Sequence, residues 1–363
     1  MRPRSRFSSP SGWRWRIWRP HCVCTRRRKP PTSVRPSVSE ATVVKPIERI
    51  TIEEIHAARE RTKGSIMRTP LVRLNVNNAP GDIYTKLENL QPIGSFKIRG
   101  AMSVLSAAAP ESLRNGVYTA SAGNMAQGVA FAAGRRGVEC HVIVPDTAPK
   151  TKLAAIERLG GRIIKVPYDT WWQVMVQHSY AGMAGTFIHP FADRRVIAGN
   201  GVIGLEILDD LPDVDSVIIP YGGGGLCVGI ASAITSLKPD TSLYACEVES
   251  AAPLSASFAA GAPTAIAHTP SFVDGIGGRS VFPEMWPMVR ALLEDSLVVS
   301  LDQTAAAIRL LIERNRVVAE GAGAVSVAAA LTGRAGSGKI VCVISGGNID
   351  SSKLVKILNG ELP

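Results

Sequence analysis

In Leu87-Glu88-Asn89-Leu90-Gln91-Pro92-Ile93-Gly94-Ser95-Phe96-Lys97-Ile98-Arg99-Gly100-Ala101 an extended segment runs through a turn into a helix. Ile83 to Leu87 reads as a strand and Pro92 to Ser95 as the turn, with Ser95 as the cap of a helix starting near Phe96. Lys97 then falls in the first helical turn. The positive end of the helix dipole disfavours a cation there and favours the neutral amine. A lysine that acts as a nucleophile needs that neutral form. On spacing alone a solvated surface lysine fits as well, and is the commoner situation for this residue type.

Outward from this stretch, apolar runs alternate with helical periodicity. Thr51 to Arg61 reads as an amphipathic helix capped by Thr51, followed by an extended turn at Arg68-Thr69-Pro70-Leu71. The lysine helix ends before Pro110. Beyond it, strands are expected at Val117 to Ala120, His141 to Val144, Ile163 to Val166 and Thr186 to His189, with helices at Met125 to Arg136, Lys150 to Leu159 and Thr170 to Met183. A second series has strands at Ser216 to Pro220, Ser242 to Glu247 and Ile340 to Ser345. Its helices are near Gly201 to Asp210, Leu226 to Ser236, Gln303 to Asn315 and Ala322 to Leu331. The alternation predicts an α/β protein with parallel-type twisted sheets flanked by helices.

Three glycine-rich loops carry ligand-binding potential. Tyr221-Gly222-Gly223-Gly224-Gly225-Leu226 follows an Ile-rich strand and opens a helix. Four glycines in a row cost backbone entropy, and exposed amides at a helix N-terminus hold a phosphate; a flexible hinge is the plainer use of one or two glycines. Ser121-Ala122-Gly123-Asn124 lies at the end of the Val117 to Ala120 strand, where open α/β sheets bind ligands, and it also suits a helix N-cap. Ser345-Gly346-Gly347-Asn348 closes the last strand. Gly333 to Lys339 has P-loop spacing, but Ile340 replaces the required Ser or Thr and the segment precedes a strand, so it reads as a surface loop.

The Gly94 to Ala101 text resembles the lysine-bearing segment of the pyridoxal-phosphate enzymes of the tryptophan synthase β-like group (fold type II), most closely their threonine dehydratase and serine racemase branch. The likeness runs from about Thr51 to the C-terminus. It implies a large cofactor-binding domain from residues 46–112 and 188–363, an inserted small substrate-binding domain at 113–187, and pyridoxal 5'-phosphate in the cleft between them. Lys97 would hold the cofactor as a Schiff base, with Phe96 beside it, and would remove the Cα proton. Gly222, Gly223, Gly224, Gly225 and Leu226 would hold its phosphate, Asn124 its ring oxygen and Ser345 its ring nitrogen. Glu320 matches a family acid near the ring, although a helix-start Glu is its plain reading. Ser121, Ala122, Gly123, Asn124, Met125 and Gln127 would form the substrate loop. A neutral hydroxyl at the ring nitrogen leaves a weaker electron sink, which suits elimination.

The activity so implied is an ammonia-lyase (dehydratase) acting on a β-hydroxy amino acid such as threonine or serine, giving a 2-oxo acid and ammonia. An amino acid racemase is the alternative, but family racemases carry a serine acid/base where Ala122 stands, and a methyl group transfers no proton. Met125 replaces the usual His, and Trp171, Trp172, Phe282 and Trp286 are large apolar residues in segments that could approach the cleft. If two or more line it, a bulkier substrate is expected, phenylserine-like or hydroxyectoine-derived. Otherwise they belong to the core or a subunit interface. Asp274 to Arg279 resembles a family loop near the substrate. Pro253 stands where metal-dependent racemases carry an Asp, so no magnesium site of that type is expected. No regulatory domain is expected after the catalytic part, and a homodimer or homotetramer is.

The formal charge of +11 suggests nucleic-acid binding until it is located. Eleven basic residues and no acid precede Glu40, leaving 30 bases against 30 acids in the remainder, so no polyanion partner is expected for the globular part. Residues 1–45 read as a disordered basic tail: a transit peptide, an over-extended gene start, or a basic arm for nucleic acid or membrane. Cys22 and Cys24 fall in it. Cys140, Cys227, Cys246 and Cys342 lack metal-ligand spacing and read as buried free thiols in a reducing compartment. With no apolar run of membrane-spanning length, a cytoplasmic location is expected, or an organelle matrix if the tail is a transit peptide.

Overall fold

The computed structural model describes residues 45–363. The basic tail, with Cys22 and Cys24, lies outside the described residues. The strands are β1 (Leu71–Arg73), β2 (Asp82–Leu87), β3 (Val117–Ala120), β4 (Cys140–Pro145), β5 (Gly161–Val166), β6 (Thr186–Phe187), β7 (Ser216–Pro220), β8 (Ser242–Val248), β9 (Asp295–Val299) and β10 (Lys339–Ile344). The helices are α1 (Ile52–Thr62), α2 (Lys97–Ala107), α3 (Asn124–Arg135), α4 (Lys150–Arg158), α5 (Tyr168–Gln177) and α6 (Arg194–Asp210), then α7 (Gly225–Leu237), α8 (Pro253–Ala260), α9 (Trp286–Leu292), α10 (Leu301–Leu310), α11 (Gly321–Leu331) and α12 (Ser351–Leu358).

Two sheets result. One has the order β1-β2-β10-β7-β8-β9, the other β5-β4-β3-β6. Every pairing is parallel except that of β1 with β2. β3 and β7 are buried along their whole length, as strands covered on both faces must be. Because β2, β10 and β7 are parallel neighbours, their C-terminal ends lie side by side. The lysine stretch, the Ser345 loop and the four-glycine loop each leave one of these three ends, where α/β sheets bind ligands.

α2 lies close against α6. A Cβ on Gly199 would stand 2.6 Å from the Arg99 carbonyl oxygen, and one on Gly100 would stand 2.7 Å from Val196 Cγ1, so glycine on each side sets the approach. α1 begins with a capping box in which the Thr51 side chain accepts from the Glu54 amide and Glu54 returns a bond to the Thr51 amide.

Several expectations are corrected. Phe96, not Ser95, occupies the N-cap of the lysine helix and makes no capping bond itself, while the Ser95 hydroxyl one residue earlier accepts from the Lys97 amide at 3.4 Å. The same hydroxyl donates to the Ser345 carbonyl. The helix expected at Thr170 to Met183 spans Tyr168–Gln177 and stops at His178, which adopts the left-handed conformation while its ring stacks on His189 at 4.3 Å. The strand expected to reach His189 ends at Phe187. Arg68 to Leu71 leads into β1 rather than ending as a turn, and β1 is an antiparallel edge on an otherwise parallel sheet. β9, α8, α9 and α12 have no counterpart in the sequence reading. The helix expected at Gln303 to Asn315 is α10 followed by a π-helical turn at Leu311–Asn315.

Candidate functional site

A cavity of about 430 Å³ lies at the C-terminal ends of β2, β10, β7 and β3. Phe96, Lys97, Ser121, Ala122, Gly123, Asn124, Met125, Gln127, the loop Gly222 to Leu226, Glu320 and Ser345 all border it. The loop from Asp274 to Ser280 does too.

Lys97 Nζ donates to the Pro190 carbonyl oxygen at 2.7 Å and stands 5.1 Å from the centre of the Phe96 ring. Burial lowers its amine to about 8, so the neutral form is populated near physiological pH. The turn before it is tied to the end of β10, because the Ser345 carbonyl accepts from the Phe96 amide at 3.0 Å and the Ser95 hydroxyl at 3.3 Å. Two residues on, Arg99 points away from the cavity and is wholly buried. Its guanidinium makes paired bonds to Glu88 (2.7 and 2.8 Å) and to Glu206 (both 2.8 Å). Burial opposes its charge, but Glu88 and then Glu206 outweigh burial and raise its pKa. Lys86 Nζ completes the network, 2.6 Å from Glu206.

The four-glycine loop is sterically committed to its sequence. A Cβ on Gly223 would fall 2.3 Å from Cδ1 of Phe191, and one on Gly225 would fall 2.8 Å from the Phe191 carbonyl oxygen. Gly224 holds φ at +90° as the N-cap of α7, where no side chain takes a capping bond. Its amides therefore remain available to an anion at the positive end of a 13-residue helix.

Across the cavity, Asn124 Nδ2 donates to Glu320 Oε1 at 2.8 Å, and Asn124 Oδ1 accepts from Asn348 Nδ2 at 2.8 Å. Asn124 begins α3 rather than capping it; the N-cap is Gly123, whose amide donates to the Ser121 hydroxyl at 3.2 Å. Burial, and then the charge of Asp274, raises the Glu320 carboxyl to about 7. A raised carboxyl keeps its proton in the fold after the unfolded chain has lost it. Stability contributed at this site therefore falls as pH rises from about 4.5 to about 7, with the full penalty above that. Glu320→Gln, which does not titrate, should gain roughly 3 kcal/mol on the wild type between about pH 5 and pH 8. Urea unfolding of cofactor-stripped protein at several pH values checks this, and a difference that stays flat refutes it.

Trp171, Trp172 and Phe282 line the cavity together with Met125, and the Trp172 and Phe282 rings lie 5.5 Å apart. Trp286 does not border it: its ring packs on Phe258 at 5.7 Å and beneath the Arg290 guanidinium. Sequence reading gave no role to Pro190, Phe191 or Arg99. Arg99 lay inside the quoted stretch, and an arginine on the buried side of a helix start was the available signal. Pro190 and Phe191 carried none.

The chain matches the family model described as pyridoxal-phosphate dependent enzyme over residues 62–346. It is 39% identical over 318 residues to an L-threonine ammonia-lyase of Thermotoga maritima, covering 86% of this chain and 79% of that one. It is 40% identical over 316 residues to the catabolic L-threonine dehydratase TdcB of Escherichia coli K12, covering 85% and 96%. Among solved structures, maize serine racemase superposes with a TM-score of 0.77 at 32% identity, covering 86% of this chain and 98% of that one.

Proposed function

The chain belongs to the family of pyridoxal-phosphate dependent enzymes, and on that premise we propose that it is an ammonia-lyase that eliminates water from a β-hydroxy amino acid, threonine or serine, releasing a 2-oxo acid and ammonia. The observation that carries this reading is Lys97: a half-buried amine lowered to about 8, in one cavity with the glycine loop. The residues present fit the cofactor. The start of α7 offers uncapped amides on a glycine loop that borders the cavity, and Lys97 offers an amine able to bond an aldehyde.

When bound, pyridoxal phosphate supplies an electron sink that acidifies the substrate Cα proton. Lys97 Nζ is then the base placed to take that proton, because its neutral form is accessible. Ser121 and the amides at the start of α3 would hold the substrate carboxylate. Asn124, fixed between Glu320 and Asn348, would hold the ring oxygen, and the Ser345 hydroxyl would face the ring nitrogen without charging it. Ala122 gives the substrate loop no proton-transferring group, which favours elimination over racemisation. The four body cysteines are buried free thiols, which suits a reducing compartment such as the cytoplasm; no described helix is long and apolar enough to cross a membrane. The large domain (46–112 with 188–363) and inserted domain (113–187) remain our division of the chain, supported by the separate strand membership of the two sheets.

A second reading of the substrate rests on the three aromatic residues in the cavity wall. Trp171, Trp172 and Phe282, with Met125 in place of a polar residue, favour a hydroxy amino acid bulkier than threonine. An ammonia-release screen over β-hydroxy amino acids, with chiral analysis of residual serine, tests both readings. Elimination should far exceed racemisation, and D-serine forming faster than pyruvate would refute a lyase. Met125→His should shift the ratio of kcat/KM values toward threonine by roughly tenfold. Clear preference for threonine in the wild type, unchanged in that variant, would rule out the bulky-substrate reading.

A further inference from the structure

His189 is buried, lies outside the steps above, and sits at the joint between the lysine and the glycine loop. Its Nδ1 accepts the backbone amides of Ala192 at 2.8 Å and Phe191 at 3.3 Å. A nitrogen that accepts two N–H groups carries no proton, so Nε2 bears it and donates to the Met175 carbonyl oxygen at 3.2 Å. Burial, followed by the neighbouring His178, lowers its pKa well below the usual histidine range, so the ring is neutral. These engagements also leave no free lone pair for a metal, although His178 Nε2 and Glu284 Oε1 lie 3.8 Å apart beside it.

The peptide that these bonds fix is Pro190-Phe191. The Pro190 carbonyl receives Lys97 Nζ at 2.7 Å, and the Phe191 ring occupies the space that any side chain on Gly223 would need. One imidazole therefore sets both the acceptor for the amine and the wall behind the proposed phosphate loop.

We propose that His189 is a positioning residue for the reaction, whose neutral, Nε2-protonated ring fixes the Pro190 carbonyl as the seat of Lys97 Nζ whenever that amine is not covalently engaged. The proposal rests on the reading of Lys97 as the cofactor-bearing residue. A lysine swinging between cofactor, substrate proton and rest needs one defined parking contact. The carbonyl supplies it by taking one N–H and adding no charge, which leaves the amine's lone pair for the Cα proton.

The test compares wild type, His189→Asn and His189→Phe as holoenzymes. Asn places Oδ1 where Nδ1 stood and should stay within about threefold of wild type in kcat and in cofactor dissociation. Phe fills the space without an acceptor. It should lower kcat roughly tenfold to hundredfold and speed cofactor loss, with KM within about twofold. A ring that serves packing alone predicts the reverse order, and that order, or equal behaviour of the two variants, overturns the proposal. Nitrogen-15 spectra of wild-type His189 test the assigned tautomer independently of the variants. They should show an unprotonated Nδ1 and a protonated Nε2, and the opposite tautomer or an imidazolium would refute the assignment. Failure of the underlying reading looks different: wild-type protein would then show no visible absorbance from covalently held cofactor.

Discussion

Lys97→Ala should abolish the visible absorbance of the purified protein and lower ammonia release by roughly 10³-fold or more. The size of the effect follows from two tasks resting on one atom. Nζ is the covalent attachment point for the cofactor and the base placed for the Cα proton, and alanine removes both. The amides at the start of α7 do not depend on that side chain. The variant should therefore still bind pyridoxal phosphate, more weakly and without the attached absorbance band. Equilibrium dialysis and absorbance spectra on the same sample check both statements. A variant that keeps the wild-type band would place the attachment at another residue.

Arg99→Met should be the most destabilising single change in the quoted stretch, at about 3 to 5 kcal/mol. The loss comes less from the bonds themselves than from what is left behind. Glu88 and Glu206 are both buried, and without the guanidinium Glu88 keeps only the Thr69 hydroxyl and the Gln91 amide while Glu206 keeps Lys86. Denaturant unfolding measures it, with Lys63→Ala, at an exposed 3.9 Å ion pair, as a control expected within about 0.5 kcal/mol of wild type. A loss below about 1 kcal/mol in Arg99→Met would mean that the carboxylates find water or become neutral at little cost. Because the network lies beneath the start of α2, the variant should also loosen the placement of Lys97.

What could be read from the sequence was whatever leaves a local mark. β3 and β7 are runs of buried residues bounded by loop signals, and the four-glycine loop stands between a strand and a helix; these features appear in the text itself. β1, with three residues and partial exposure on an edge, has neither length nor periodicity to announce it. The end of α5 at His178 was misplaced because a contact with His189 decides it, and no short-range pattern encodes a partner brought up by the segment that follows β6. Ser95 stands one residue before the N-cap, and its hydroxyl serves both the Lys97 amide and the Ser345 carbonyl, a partner that only the folded chain brings up. The role of His189 was invisible because it consists of backbone amides accepted at a bend. Arg99 was in view throughout. Only the burial of Glu88 and Glu206 turns it from a surface cation into a keystone.

The place of β10 has a consequence for how this protein is born. β10, Lys339–Ile344, sits between β2, which ends at Leu87, and β7. As the chain leaves the ribosome, β2 waits for its parallel neighbour until every residue between Leu87 and Lys339 has been translated. Until then it presents an edge of unpaired backbone groups of the kind that chaperones shield and that invites aggregation. Such long-range pairing also slows the closing step of folding. The Phe96 amide, next to Lys97, is fastened to Ser345 at the end of that last strand. A nascent chain stopped short of Ser345 lacks that fastening, so assembly of the lysine turn waits for β10.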